Sequence, residues 1–237
     1  MYGLIDRGFK CFNSSFKTAE NELALIAEET ADSFLEDIEK SKVRFNGGLF
    51  GVEEFLDLRD KRDQIPEVRL SFYKTDYFTF RVFASYYLRH IDEYKKYLSN
   101  NQESVSETIN KLAYPFLSSF GIGCLVIVSL APSKSLIDDN DFVIIGKRSE
   151  KVIVDPSCYH FTMNEALDLR DTQHGGIPDF QTCIYRGLKE EVGVETYKKI
   201  HGAKFGKYVY LDFIFDTNKC EMGMTCYVKV TLDKTTD

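Results

Sequence analysis

The sequence predicts an α+β protein in which a mixed but helix-rich N-terminal domain precedes a second domain that is rich in strands. Apolar residues of the first part recur at helical spacing, whereas those after residue 120 form short β-branched runs. A polar segment, 98–110, separates the two patterns and is typical of a linker. With 237 residues, of which 43% are hydrophobic, the chain is long enough for a core in each of two domains. We therefore predict domains over 1–110 and 111–237.

The N-terminal part begins with a predicted amphipathic helix between Thr18 and Ser41. Its apolar residues fall mostly on one helical face; they are Leu23, Ile26, Ala27, Ala31, Phe34, Leu35 and Ile38. Three glycines in 44–51 predict a turn, and this segment lacks the Gly-Lys-Ser/Thr ending of a phosphate-binding loop. For the next segment, 52–64, we predict a short helix.

The most aromatic segment of the chain, 72–87, suits either a core or a ligand platform. Eight of its sixteen residues are Phe or Tyr, and basic residues lie between them, as in proteins that stack single-stranded bases. The later aromatic residues recur at helical spacing, which is more typical of a core. We favour the core and keep the ligand platform as the alternative. No catalytic motif is found in 1–110.

The C-terminal part predicts the order strand, strand, loop, helix, strand, strand. Apolar and β-branched sequences indicate the strands, and a polar turn at 138–141 separates the first two. The helix is predicted from Asp179 to Val192, with Gly193 ending it. The predicted strands are 121–130, one bent strand or two short strands in 141–154, 204–216 and 224–232.

Composition and charge argue against several classes of function. The formal net charge of −7 gives no general attraction to the phosphates of nucleic acids, so we do not expect general nucleic-acid binding. No apolar run approaches the ~18 residues of a membrane-spanning helix. The N-terminus lacks the apolar core and cleavage site of a signal peptide. We therefore expect a cytoplasmic protein that does not enter a membrane.

Cysteine and histidine spacing does not indicate a disulfide framework or a zinc site. The six cysteines are scattered without a C-x-x-C pair, and the four histidines form no H-x-x-x-H pair. His160 and His174 could act as a general acid or base near a phosphate, although neither lies in a motif that requires it.

The segment RGLKEEVGV, Arg186–Val194, has the physical character of a cation site or of an exposed helix end. On a helix Arg186 and Glu190 are four residues apart and can pair. Glu190 and Glu191 are neighbours, and two such close carboxylates raise each other's proton affinity unless a cation lies between them. Mg²⁺ favours such oxygen ligands. The alternative is an ordinary solvated helix surface.

This segment, with IIGKRS at 144–149, GG at 175–176 and the order of elements, resembles the Nudix hydrolase family. The family's signature is glycine, five residues, glutamate, seven residues, arginine, glutamate, an aliphatic residue, any residue, two glutamates, any residue, glycine and an aliphatic residue. Its last part matches at Arg186, Leu188, Glu190, Glu191, Gly193 and Val194. The resemblance covers roughly 120–237 and implies a Nudix-like α/β/α sandwich with a mixed sheet.

The resemblance also implies an activity and a cofactor. A Nudix-type hydrolase uses Mg²⁺ or Mn²⁺ to cleave a nucleoside diphosphate linked to another moiety, because the metal neutralises the diphosphate and activates water. Glu190 and Glu191 would be the catalytic metal ligands, and Arg186 would position Glu190. The partner would be a nucleotide or a nucleotide derivative.

The first half of the signature is altered in this chain. Pro178 stands where the signature has its first glutamate, Thr172 stands for its glycine, and Gly187 stands for the glutamate after the arginine. The alternative function is therefore a catalytically impaired Nudix-like sensor or regulatory module, which binds a nucleotide or a partner without cleavage.

Acids elsewhere in the chain could replace the missing ligands. Glu165 and Asp179 are the candidates; the alternatives are an exposed side chain for Glu165 and a helix cap for Asp179. Lys147 and Arg148 end a strand expected beside the site, so we predict that they contact substrate phosphate; the alternative is solubility of an edge strand. The N-terminal domain or a homodimer could cover the exposed sheet.

Overall fold

The predicted α+β class is confirmed by a computed structural model of the chain, which describes residues 16–40, 46–57, 68–100, 116–130, 139, 141–150, 157–202 and 204–231. These residues contain five helices and nine strands. None of the described helices is both long and apolar enough to cross a membrane. The chain divides into two units, Met1–Phe120 with Phe215–Met222 and Gly121–Ile214 with Gly223–Asp237. The predicted boundary after residue 110 lies outside the described residues.

The first unit combines helices with a two-stranded sheet. Its elements are helix α1 (Phe16–Glu39), strands β1 (Gly48–Asp57) and β2 (Val68–Asp76), and helices α2 (Tyr77–Arg89) and α3 (Ile91–Asn100). Strands β1 and β2 form an antiparallel hairpin. The predicted N-terminal helix is confirmed by α1, whose buried face includes Leu23, Ile26 and Phe34.

The segment 52–57 belongs to β1, so the predicted helix is wrong for the part of 52–64 that the structure describes. Val52 and Phe55 are buried, whereas the two glutamates between them are exposed. In a regular strand residues three apart face opposite sides. A β-bulge between Val52 and Glu54 adds one residue and turns both apolar side chains to the same side. Pairing with β2 therefore overrides the local helical pattern.

The aromatic segment contributes to the core of the first unit. Phe83 and Tyr87 on α2 are buried, and the Tyr87 hydroxyl donates a hydrogen bond to the carbonyl of Thr217 at 2.7 Å. Phe78 contacts Phe34 of α1 edge to face, with 5.5 Å between the ring centroids. Asp76 caps α2 by accepting a hydrogen bond from the backbone N–H of Thr79. The core interpretation is confirmed for Phe83 and Tyr87, whereas Phe78 is half-buried.

The second unit is built on a five-stranded sheet. The strands are β3 (Phe120–Ser129), β4 (Asp141–Ile144), β5 (Gly146–Lys147), β6 (Tyr159–His160), β7 (Met163–Ala166), β8 (Lys204–Asp216) and β9 (Glu221–Thr231), and the helices are α4 (Phe180–Glu191) and α5 (Val194–Gly202). The sheet has the order β4-β3-β9-β8, and β7 also pairs with β3. Strands β5 and β6 form a separate antiparallel pair.

The five-stranded sheet is mixed. Strand β3 is antiparallel to both β4 and β7. The Ser119 hydroxyl, next to the start of β3, donates a hydrogen bond to Glu221 at the start of β9. Two residues further along each chain segment, Gly121 lies against Gly223: a Cβ added to Gly223 would be 2.8 Å from the Gly121 carbonyl oxygen. Equal steps in the same direction show that β3 and β9 run parallel.

Helix α4 confirms the predicted helix at 179–192 to within one residue at each end. Ile184 and Leu188 are buried on the face that packs against β7, where Met163 is also buried. Gly193 follows the helix with a φ of +79°, which a residue without a Cβ adopts readily. The helix therefore has a fixed position against β7 and a defined C-terminal end.

Candidate functional site

Arg186 lies at the centre of a charged cluster between α4, β7 and the loop before the helix. Its Nε and Nη2 donate hydrogen bonds to the two carboxylate oxygens of Asp171 at 2.9 and 2.8 Å. Its Nη1 donates to Glu165 at 3.1 Å, and Nη2 also donates to the carbonyl of Ala166 at 3.0 Å. This fork is the strong, bidentate form of an arginine–carboxylate pair.

The Arg186–Asp171 pair is largely removed from water, since the side chains are 16% and 1% exposed. Burial opposes the charge of Arg186, but the hydrogen bonds and charge of Asp171, together with the charge of Glu165, outweigh it and raise the pKa of Arg186. Asp171 also accepts a hydrogen bond from the backbone N–H of Asp168 at 2.9 Å. Asp171 was not predicted, and it fixes the position of Arg186.

Glu190 and Glu191 lie at the C-terminal end of α4, as predicted, and both are exposed. The predicted pair with Arg186 is loose, because 3.7 Å separates the Glu190 carboxylate from Nη1, and the Glu190 side chain is 52% exposed. Nη1 of Arg186 therefore lies between the carboxylates of Glu165 and Glu190, and its positive charge attracts both.

Gly187 and Glu165 share one space between α4 and β7. A Cβ added to Gly187 would lie 2.6 Å from Cγ of Glu165 and 2.5 Å from Cγ of Met163. Real Cβ atoms do not make contacts this short, so a glutamate at 187 would require the side chains of Met163 and Glu165 to shift. The Glu165 side chain passes through the space that the signature's glutamate would need.

The carboxylate of Glu165 interacts with the other acids of the cluster. Its pKa is raised, first by burial and then by the charges of Glu190 and Glu191, while Arg186 opposes the rise. Glu165 is therefore close enough to both helix glutamates for their charges to act on it. The alternative of a fully exposed side chain is wrong, since the Glu165 side chain is 22% exposed.

Asp179 lies at the opposite end of α4 from these acids and caps the helix. It accepts hydrogen bonds from the backbone N–H of Thr182 at 3.2 Å and from the Thr182 hydroxyl at 2.5 Å. Asp179 and Glu190 are eleven positions apart, which is about 16 Å along the helix axis. Asp179 therefore does not join the acids at the C-terminal end, and the capping alternative accounts for it.

The predicted phosphate contacts lie on the β5–β6 pair. Lys147 is opposite Tyr159 and is exposed, and the backbone N–H of the next residue, Arg148, donates a hydrogen bond to the Cys158 carbonyl at 2.9 Å. Nε of Arg148 is buried and has no hydrogen-bond partner among the described residues. Among the residues that the structure describes, no contact links these two side chains to the Arg186 cluster.

The two candidate histidines differ in their surroundings. His160 lies opposite Gly146, and its ring covers that glycine, since an added Cβ would be 3.0 Å from the ring. Its Nδ1 is buried and has no partner in the part of the chain that the structure describes. His174 is exposed beside Gly175 and Gly176, which have φ values of +91° and +76°.

The donor set of the cluster consists of carboxylates, which suit a hard divalent cation. Within the described ranges, however, no group of three or more His, Cys, Asp or Glu residues is gathered closely enough to hold a metal ion. A cation bound by Glu165, Glu190 and Glu191 would therefore require the exposed side chains of Glu190 and Glu191 to adopt other rotamers.

Comparison with protein-family models found no match, and neither did a search of curated proteins.

Proposed function

We propose that this chain is a Nudix-type, Mg²⁺-dependent hydrolase of a nucleoside diphosphate linked to another moiety, with Glu165 in place of the acid that is missing at Gly187. The supporting observation is that Glu165 fills the space against α4 which a residue-187 side chain would otherwise occupy. A Nudix-like α/β/α sandwich and a cytoplasmic location belong to the same proposal.

The positions of the acids on α4 explain why Glu165 is a suitable replacement. Positions 187, 190 and 191 are related as i, i+3 and i+4, so they lie on one face of a helix. Glu165 enters this face at position 187 from the neighbouring strand. The resulting set, Glu165, Glu190 and Glu191, offers three carboxylates to a cation.

Mg²⁺ or Mn²⁺, when bound, would neutralise the diphosphate and activate water. The chain's own residues hold the carboxylates in place. Asp171 fixes Arg186, and Arg186 in turn holds one oxygen of Glu165 and attracts Glu190. Arg186 is therefore a positioning residue in this proposal, although its signature position suggests a catalytic one.

Arg148 and Lys147 are the proposed substrate contacts. A buried guanidinium N–H without a partner is energetically unfavourable until it finds an acceptor. A phosphate oxygen would satisfy Nε of Arg148, and the exposed Lys147 could add a second positive charge. A phosphate group of the proposed nucleotide ligand would therefore suit this position.

The test is turnover of a panel of nucleoside diphosphate derivatives by the full chain with Mg²⁺ or Mn²⁺. We expect product release, with a loss of at least about a hundredfold in kcat for Glu191→Gln and for Glu165→Gln, in the range of a catalytic group. Glu195→Gln is the matched control, because Glu195 is an exposed glutamate on α5 that pairs with Lys198. A panel without turnover, or equal activity in all three variants, would contradict the proposal.

A second candidate is the impaired Nudix-like module that binds a nucleotide or a partner without cleaving it. The observation in its favour is that Arg186 already supplies a cation between Glu165 and Glu190 and is held there by buried Asp171. This candidate predicts that nucleotides raise the melting temperature without a metal and without turnover. Metal-dependent cleavage would exclude it.

A further inference from the structure

We propose that Arg170 is a substrate-binding residue, which contacts the diphosphate of the ligand beside the acids of α4. The inference rests on the proposed function, from which it takes the chemical class of the ligand. Arg186 is poorly placed for this task, because its side chain is 16% exposed and already donates to two carboxylates and a backbone carbonyl. A second arginine at the cluster would therefore supply the contact to phosphate.

The Arg170 side chain is held in place by Asp168, two residues earlier in the chain. Its Nε donates a hydrogen bond to one carboxylate oxygen of Asp168 and its Nη2 donates to the other, both at 2.9 Å. The backbone N–H of Arg170 also donates to this carboxylate, at 2.7 Å. A bidentate pair of this kind fixes the plane of the guanidinium. Because the side chain is ordered before a ligand arrives, binding loses less conformational entropy.

Asp168 connects this pair to the Arg186 cluster. The backbone N–H of Asp168 donates a hydrogen bond to the carboxylate of Asp171 at 2.9 Å, and the backbone N–H of Asp171 donates to the Asp168 carbonyl at 2.8 Å. Asp171 is the carboxylate that holds Arg186. A continuous series of hydrogen bonds therefore joins Arg170 to the centre of the cluster.

The charges of the cluster act on both members of the pair. The hydrogen bond and charge of Asp168 raise the pKa of Arg170; Glu190 adds to the rise, and Arg186 opposes it. Burial opposes the charge of Asp168, but Arg170 and then Arg186 outweigh burial and lower the pKa of Asp168. Arg170 is therefore close enough to Glu190 for their charges to interact, beside the acids that would hold the cation.

Part of the Arg170 guanidinium remains available to a ligand. The pair with Asp168 uses Nε and Nη2, and Nη1 has no acceptor among the residues that the structure describes. The Arg170 side chain is 63% exposed, whereas that of Asp168 is 14% exposed. Phosphate oxygens are strong acceptors for a guanidinium. An ion pair this exposed contributes only about 0–1 kcal/mol to folding, so Arg170 can be replaced without a large loss of stability.

The surrounding charges determine when a diphosphate can bind. The carboxylates of the cluster outnumber its two arginines; they are Glu165, Asp168, Asp171, Glu190 and Glu191. A bare diphosphate is repelled by this excess of negative charge. Mg²⁺ would offset the repulsion, since it is usually bound by carboxylates together with substrate phosphates. We therefore expect Arg170 to contribute to binding when Mg²⁺ is present.

The test is binding of inorganic pyrophosphate to the full chain, measured by isothermal titration calorimetry with Mg²⁺ and with EDTA. Arg170→Gln should raise the Kd measured with Mg²⁺ at least about tenfold, or about 1.4 kcal/mol. Arg170→Lys keeps the charge but loses the bidentate pair, so its Kd should rise less. Arg89→Gln is the matched control, because Arg89 is another exposed arginine that pairs with an acid, Glu29, and lies on α2.

A native chain that does not bind pyrophosphate overturns the inference, and so does a Kd that Arg170→Gln and Arg89→Gln change equally. Binding that is as tight in EDTA contradicts the charge argument. Circular dichroism establishes that the variants are folded; if Arg170→Gln does not fold, Arg170→Lys decides, and an unchanged Kd contradicts the inference.

The turnover assay separates this inference from the hydrolase proposal. If the native chain cleaves nucleoside diphosphate derivatives and Arg170→Gln leaves KM unchanged, Arg170 is not a binding residue although the hydrolase proposal stands. If the native chain cleaves none of them but Arg170→Gln weakens pyrophosphate binding, the hydrolase proposal fails and Arg170 still binds the diphosphate.

Discussion

The replacement Asp171→Asn is expected to destabilise the protein by about 3 kcal/mol, because it leaves the charge of Arg186 buried with weaker partners. Removing one member of a buried ion pair costs about 3–5 kcal/mol. The lower end applies here, since Glu165 remains 3.1 Å from Nη1. Asparagine keeps the volume of the side chain, but its amide N–H₂ group would face a guanidinium N–H, so one of the two hydrogen bonds is also lost.

The assay is unfolding by urea, followed by circular dichroism and by tyrosine fluorescence, since the chain has no tryptophan. The matched control is Arg170→Gln, which breaks the pair with Asp168 at a site where Arg170 is 63% exposed. An exposed pair contributes about 0–1 kcal/mol. If Asp171→Asn costs no more than Arg170→Gln at an unchanged m-value, the argument that Asp171 holds Arg186 is refuted.

Two further predictions concern the space that Glu165 and Gly187 share. Gly187→Glu, which restores the signature residue, should lower the free energy of unfolding by about 1–3 kcal/mol through overpacking against Met163 and Glu165, and an unchanged urea midpoint would contradict this. The pKa of Glu165 is raised in the folded state, so the folded state binds the Glu165 proton more tightly than the unfolded state does. The contribution of protonated Glu165 to the free energy of unfolding is therefore fully present below the unfolded pKa of about 4.3 and is lost as pH rises through the folded pKa. The stability of the native chain relative to Glu165→Gln should therefore fall as pH rises above about 4.3, and urea unfolding that gives a constant difference from pH 4 to pH 7 would contradict the burial argument.

The elements that the sequence predicts well are those whose signals are local. Helix α4 begins after the cap Asp179 and ends before Gly193, and both residues are recognisable without tertiary information. The error in 52–57 has the opposite origin. The bulge that turns Val52 and Phe55 to one side forms because β2 pairs with this segment. The order of apolar and polar residues in 52–57 does not predict it.

The ion pairs of Arg186 likewise include one that local sequence predicts and one that it does not. Helical spacing predicts Glu190 as the partner of Arg186, and that pair exists at 3.7 Å. The stronger partner is Asp171, fifteen residues earlier in the chain and outside the helix. Asp168 and Asp171 both stand in the same short acidic loop, and no local signal shows which of them the fold buries.

Glu165 occupies the space that a side chain at position 187 would need, and this affects how a departure from a sequence signature is interpreted. When the signature is compared with residues 172–194 alone, the acid expected at position 187 is missing, which favours an inactive protein. A metal site, however, needs carboxylates at points in space, and the chain segment that supplies each one is of no consequence. Glycine at 187 is what allows Glu165 to lie against α4, because any larger residue would collide with it. The departure from the signature and the position of its proposed replacement therefore depend on each other. The activities of Glu165→Gln and Gly187→Ala should fail together if that acid is needed, because the alanine Cβ would displace Glu165 without supplying a carboxylate.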